Sequence, residues 1–264
     1  MFQAKLSKIQ FAEYAFQLVL SFVPQCYMVD INGMLGKHRK DYEMRKAEFK
    51  DAWKYCNITN KEAREGHIPE ALKGVDVAIC FSQSGPGVVL PEWIKSMAKD
   101  PIVFACANPV PEIWPWEAQE AGAAVIATGR SDFPNQINNS LGFPGIFRGT
   151  LDVRARTITD EMCFAAAEAL ANHVGDKLAA DHLLPSMDDW EVFPREAAAV
   201  AVKAQEQGLA RIQMTYEEEF ENARRIIKRS RDLTNMMMEE HFIADPPADE
   251  SEHSVDMASA QSAH

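Results

Sequence analysis

The chain has 264 residues with 27 basic and 39 acidic side chains, a net charge of −12, and 47% hydrophobic against 25% charged residues. That balance excludes general disorder and is long enough for one large domain or two modest ones with a buried core, while the acidic surplus argues against nucleic acid, whose phosphates it would repel. No apolar run reaches the ~20 residues that cross a bilayer; the best stretch, 11–23, is broken by Glu13 and Gln17, so no membrane partner is expected.

In chain order, Leu6, Ile9, Ala12, Phe16, Val19 and Leu20 recur at helical spacing and predict a packed helical segment over 1–25. A short strand at 26–29 runs into Asp30, and a charged helix follows over about 41–54. Apolar, β-rich runs at 75–81, 101–106 and 123–127 predict three further strands. Helices with proline in the first turn, at 91–97 and 115–121, separate them. Strands alternating with helices of this length predict an α/β fold, a Rossmann-like doubly wound parallel sheet with right-handed crossovers. After Asp160 the pattern is helical only: from Thr159 to about His173, from Pro194 to Gln207 with Gly208 as the stop, and from Tyr216 to about His241. The acidic, Pro- and Ser-containing stretch 244–264 reads as a disordered tail, leaving 26–243 as the folded unit.

The five cysteines are odd in number, widely spaced and without a Cys-x-x-Cys pair, which fits reduced thiols in the cytoplasm rather than a disulfide framework or a zinc site. No histidine stands at metal-ligand spacing with a cysteine or another histidine, so no metal residue is assigned.

In open α/β sheets ligands bind beyond the carboxyl ends of the strands. Four loops therefore carry the candidates. Asp30, before Asn32-Gly33, is either a ribose-binding acid or a turn former. Ser82 to Gly87 contains Gly85 and Gly87, which allow either close approach to a ligand or a tight turn. Asn108 stands between a strand end and a loop stiffened by Pro109 and Pro111, and its amide both donates and accepts. The stretch 128–139, the densest polar region of the chain, ends in Asn138 and Asn139. A helix beginning just after that pair would offer free N–H groups to a carboxylate. The sequence holds no Gly-x-Gly-x-x-Gly, no His-Glu-x-x-His and no P-loop, so the sheet reads as incomplete at its N-terminus and no catalytic residue is assigned.

Four blocks, 102–113 (IVFACANPVPEI), 127–136 (ATGRSDFPNQ), 138–149 (NNSLGFPGIFRG) and 151–156 (LDVRAR), resemble the signature segments of prokaryotic malic enzymes. The resemblance covers about 26–242 and is to the C-terminal, nucleotide-binding domain of that family. It implies NAD- or NADP-dependent oxidative decarboxylation of malate to pyruvate and CO2, of which this chain carries the cofactor-binding portion. It implies that Asp30, Ser82, Gly85, Gly87 and Asn108 contact the cofactor, and that Asn108, Asn138 and Asn139 contact malate. An acid at Asp30 favours NAD, because it would repel a 2′-phosphate. In the family a preceding malic domain supplies the tyrosine acid, the lysine base and the carboxylates for Mg²⁺ or Mn²⁺. This sequence contains neither that domain nor the glycine-rich turn, so the expected partners are malate or pyruvate and either a second copy or a separate malic-domain chain. The alternative is a non-catalytic nucleotide-binding or interaction remnant, or a truncated gene product.

Overall fold

A computed structural model describes residues 25–244. The helix expected over 1–25 and the tail expected over 244–264 lie, apart from their innermost residues, outside the described residues.

The chain enters through a small hairpin, β1 (Val29–Asp30) and β2 (Gly33–Met34), paired antiparallel with Val29 opposite Met34. The strand expected at 26–29 therefore does not join the parallel sheet. Asn32-Gly33 explains this: Gly33 adopts φ +110° and folds the chain straight back. A Cβ at Gly33 would also lie 2.8 Å from the Gly66 carbonyl, so the turn is seated tightly on the following loop. The single helix expected near 41–54 is two, α1 (Lys40–Met44) and α2 (Lys50–Ile58). Between them Glu48 and Phe49 both donate to the Arg45 carbonyl, and the Arg45 side chain closes the turn by pairing with Glu48 and lying over the Phe49 ring at 4.4 Å. A short helix, α3 (Ile68–Leu72), was not anticipated because five residues are too few to show periodicity. Leu35, Tyr55 and Cys56 make a small core under this region.

The main sheet has three parallel strands, β3 (Val77–Cys80), β4 (Ile102–Ala105) and β5 (Val125–Thr128), in that order, with Val77, Ile102 and Val125 in line. Helices α4 (Pro91–Ile94) and α5 (Pro115–Glu120) make the crossovers, each with proline in its first turn. Ala78, Val103, Ala105, Ile94, Ile113 and Ala118 pack the core on one face of this sheet.

Four helices follow: α6 (Phe143–Asp152), α7 (Asp160–Val174), α8 (Val192–Glu206) and α9 (Tyr216–Glu239). Thr159 caps α7 by accepting from the Met162 N–H, and Thr215 and Glu218 cap α9 reciprocally. The alanine-rich α8 lies in the middle and packs against the other three. It approaches α6 closely at two glycines. A Cβ at Gly149 would lie 2.2 Å from the Ala197 carbonyl oxygen, and one at Gly145 would lie 2.4 Å from Glu196 Cβ. Gly149→Ala should therefore force the helices apart and destabilise the protein by about 2 kcal/mol, the usual penalty of overpacking. Urea denaturation would measure this, and a variant as stable as the parent would contradict the seam.

No helix among the described residues is long and apolar enough to cross a membrane. The five cysteines form no disulfide among the described residues.

Candidate functional site

The carboxyl ends of β3, β4 and β5 run into loops that are tied to one another, chiefly by Glu112. This side chain is fully buried. Its Oε1 accepts from the Ser82 N–H (2.7 Å) and the Ser82 hydroxyl (3.0 Å), while Oε2 accepts from the Ala107 N–H (3.0 Å). One carboxylate thus joins the loop after β3 to the loop after β4. Its backbone continues the lacing, since the Glu112 carbonyl accepts from the Val89 N–H. Ser84 Oγ donates to the Val110 carbonyl and accepts from the Val110 N–H, and the Gly85 N–H donates to the same carbonyl at 3.2 Å. Gly85 and Gly87 sit at φ +125° and +89°, with open space where a Cβ would stand. That backbone is open to close approach by a ligand, and side chains other than hydrogen would strain it.

The loops after β4 and β5 meet at Gly129. A Cβ there would lie 2.9 Å from Asn108 Oδ1, so only glycine leaves room for the asparagine. Asn138 reaches the same point from the other side and donates from Nδ2 to the Gly129 carbonyl at 2.8 Å. Its Oδ1 accepts from the Ser140 N–H, an Asx turn that leads into α6. Asn108 and Asn139 are exposed. The Asn139 carbonyl accepts from the Gly142 and Phe143 N–H groups, so the pair stands just ahead of the α6 N-terminus, as the sequence led us to expect.

Arg130 fixes the rim. It pairs with both oxygens of Asp132 (2.8 and 2.6 Å), donates to the Pro109 carbonyl at 3.3 Å and lies over the Phe133 ring. The hydrogen bonds from Arg130 hold the Asp132 carboxyl below its ordinary range. Phe133 stands edge-on to the stacked pair Trp114 and Trp116. Asn135, in the same polar stretch, is buried at φ +58° and spends its amide on the Ile126 and Ala180 carbonyls and the Leu183 N–H, a structural use.

Ser82, Gly85, Asn108 and Asn138 are thus linked by direct contacts among these loops, with Gly87 and Asn139 beside them in the chain. Asp30 is placed differently, in the hairpin rather than at the end of a sheet strand. It accepts from Arg39 Nη1 and Nη2 (2.9 and 3.0 Å), from the Tyr42 hydroxyl (2.6 Å) and from the Asn32 N–H (2.8 Å). Burial opposes its ionisation, but the hydrogen bonds from Arg39, Tyr42 and Asn32 together outweigh it and hold the carboxyl low. Burial and the bond to Asp30 push the Tyr42 hydroxyl up to about 12.

Glu112 was missed at the sequence level because its partner Ser82 is 30 residues away. The available signal was an acid in an otherwise apolar and proline-rich run. Among the described residues no group of three or more His, Cys, Asp or Glu side chains is placed to hold a metal ion. A hollow of about 940 Å³ runs along α9 between Glu218 and Met236, but a single helix lines it, and it lacks the convergent groups of the strand ends.

Comparison with known proteins adds the following. The family model for the malic enzyme NAD binding domain matches residues 21–207. The bifunctional malic/malolactic enzyme of Bacillus subtilis is 51% identical over 172 residues, covering 65% of this chain and 42% of that protein. The NAD-dependent malic enzyme of Geobacillus stearothermophilus is 49% identical over 158 residues, covering 60% of this chain and 32% of that protein. The crystal structure of the Entamoeba histolytica malic enzyme superposes with a TM-score of 0.84 at 44% identity, over 88% of this chain and 48% of that one. The chain spans less than half the length of each of these relatives.

Proposed function

The chain belongs to the malic enzyme NAD-binding domain family, and from that membership we propose that its strand-end loops bind a nicotinamide dinucleotide and present it to malate. The observation that carries this reading is the convergence at Gly129. There two side-chain amides, Asn108 and Asn138, meet at the carboxyl edge of the sheet beside the glycine-bearing loop of Ser82, Gly85 and Gly87. Asn108 keeps an exposed amide that can both donate and accept, which suits a carboxamide or a carboxylate without adding charge. Asn138 and Asn139 stand just ahead of the first turn of α6, whose dipole favours a substrate carboxylate beside their amides. Asp30 spends both carboxylate oxygens on Arg39, Tyr42 and the Asn32 N–H, so it does not choose between the two nucleotides, and the cofactor is NAD or NADP.

In this reading the chain's own work is to orient. The cofactor supplies hydride acceptance when bound, and the loops laced by Glu112 hold the position against which malate must lie. The described residues do not fit a divalent metal, so no step of the reaction is assigned to one here. Acid–base groups and metal ligands for oxidative decarboxylation would come from a complementing malic domain, in the same protein or a second chain; a homo-oligomer is the other assembly proposed for this chain. We place the folded unit at 26–243 and the protein in the cytoplasm, the latter because its five cysteines are odd in number and widely spaced, with no Cys-x-x-Cys pair.

Calorimetric titration with NAD and, separately, NADP, with malate and Mg²⁺ present and absent, tests the proposal. One of the two nucleotides should bind with a dissociation constant in the micromolar range, roughly −8 kcal/mol, and Asn108→Ala should leave the protein folded but weaken binding of nucleotide or malate. A folded chain that binds neither nucleotide at millimolar concentration would refute the reading.

A further inference from the structure

The long helix α9 is packed along only part of its length. Glu219 and Ala223 are buried where it lies on α8 and α6, whereas every residue from Lys228 to Met236 is exposed. At 3.6 residues per turn, Glu218, Asn222, Arg225, Arg229, Asp232 and Met236 share one face, with Glu221 and Leu233 on its borders. All of these but Asn222 are exposed, Leu233 and Met236 by 50% and 53%. The hollow that follows α9 runs along the same face. Its charges are sorted. Glu217, Glu218 and Glu221 stand in the first two turns, and Arg225, Lys228 and Arg229 in the next two. Among the described residues neither Glu221 nor Arg229 has an ion-pair or hydrogen-bond partner. A helix face with acids first and bases after them is complementary to a reversed copy of itself.

We propose that α9 docks on α9 of a second copy of this chain, antiparallel about a two-fold axis. With the axis midway between Glu218 and Arg229, Glu218 of each copy stands opposite Arg229 of the other, and Glu221 comes within reach of Arg225. The helices then overlap over residues 216–231, about 24 Å. Leu233 and Met236 run past that overlap toward the part-exposed Ile212 and Met214 of the second copy. A parallel pair in register would set acid against acid and base against base, so the order of charges selects the antiparallel pair. Exposed ion pairs contribute little stability each; here they fix orientation and register, and the apolar ends supply the burial. None of these residues belongs to the strand-end loops, so the pairing is independent of whether those loops bind a nucleotide.

The test is sedimentation velocity of the full-length chain at tens of micromolar, where the parent should be a dimer. Glu221→Arg sets base against base across the pair, and Arg225→Glu sets acid against acid. Each variant alone should therefore be a monomer, its self-association weakened by about tenfold or more. Mixed in equal amounts, the two variants should form a heterodimer, because the two reversals compensate each other across the interface, a recovery that misfolded chains could not give. A parent that stays monomeric would overturn the proposal. Single variants as dimeric as the parent would place the contact on another face and overturn it too, as would a mixture that stays monomeric.

Discussion

Glu112→Ala should lower stability by about 3 kcal/mol and weaken nucleotide binding at least tenfold in the molecules that remain folded. The magnitude follows from what the carboxylate holds. The Ala107 N–H is buried and loses its acceptor, and the Ser82 N–H and hydroxyl lose theirs at the loop that faces them. An orphaned buried donor costs about 1–3 kcal/mol, and hydrogen bonds to a charged acceptor stand near the top of that range. Ser82 is exposed and water can replace part of its loss, which keeps the total near the lower sum. Glu112→Gln preserves shape and one acceptor oxygen but places an amide donor against a backbone donor, so it should fall between the two. Urea denaturation gives the stability change, and titration with NAD at a denaturant-free concentration gives the affinity. A stability within 1 kcal/mol of the parent would show that the loops are held by other contacts.

Glu196→Gln should change the pH dependence of stability more than any other single substitution. Glu196, on α8, is fully buried against the first turn of α6, and among the described residues neither carboxyl oxygen has a hydrogen-bond partner. Burial alone pushes its carboxyl up from the ordinary 4.5 to about 9. The unfolded chain therefore releases this proton near pH 4.5 while the folded chain keeps it. Stability is complete below pH 4.5, falls by about 1.4 kcal/mol per pH unit above it, and stops falling only as the folded group ionises near 9. Between pH 5 and 8 this amounts to a loss of about 3–4 kcal/mol. Glutamine carries no proton to release, so the variant and the parent should be close in stability at pH 5 and the variant about 3 kcal/mol more stable at pH 8. Glu219, raised to about 8 by burial and by the charge of Asp152, tilts both curves alike, so the difference between them isolates Glu196. Parallel curves would show that Glu196 is ionised or solvated in the folded protein.

What the sequence disclosed and what it withheld divide by range. β3, β4 and β5 and the helices α4, α5 and α7 to α9 lie within a few residues of where apolar runs, first-turn prolines and the acidic start at Thr159 put them, because those signals act within one turn of the chain. The strand expected at 26–29 leads instead into the hairpin Val29–Met34, whose cause, Asn32-Gly33, is local: the turn signal stood beside the apolar run, and in the fold it prevails. Asn108 and Asn138 stood out as amides at strand ends, but their meeting at Gly129 depends on two loops 20 and more residues apart. Glu196 was invisible for a similar reason. On α8 it is one acid among alanines, and only the glycines of α6 opposite make its position a buried one.

Because α6 presents no side chain of its own to α8 at Gly145 and Gly149, the height of α6 along its own axis is set by the sizes of the α8 residues facing that seam. Asn138 and Asn139 are carried on the loop that α6 terminates, so a shift of the helix moves them directly. A population of random variants selected for ligand binding should therefore lose clones at Ala197 and its neighbours in α8, which touch no ligand. Homologous helices grafted into this position should succeed or fail by side-chain volume rather than by charge.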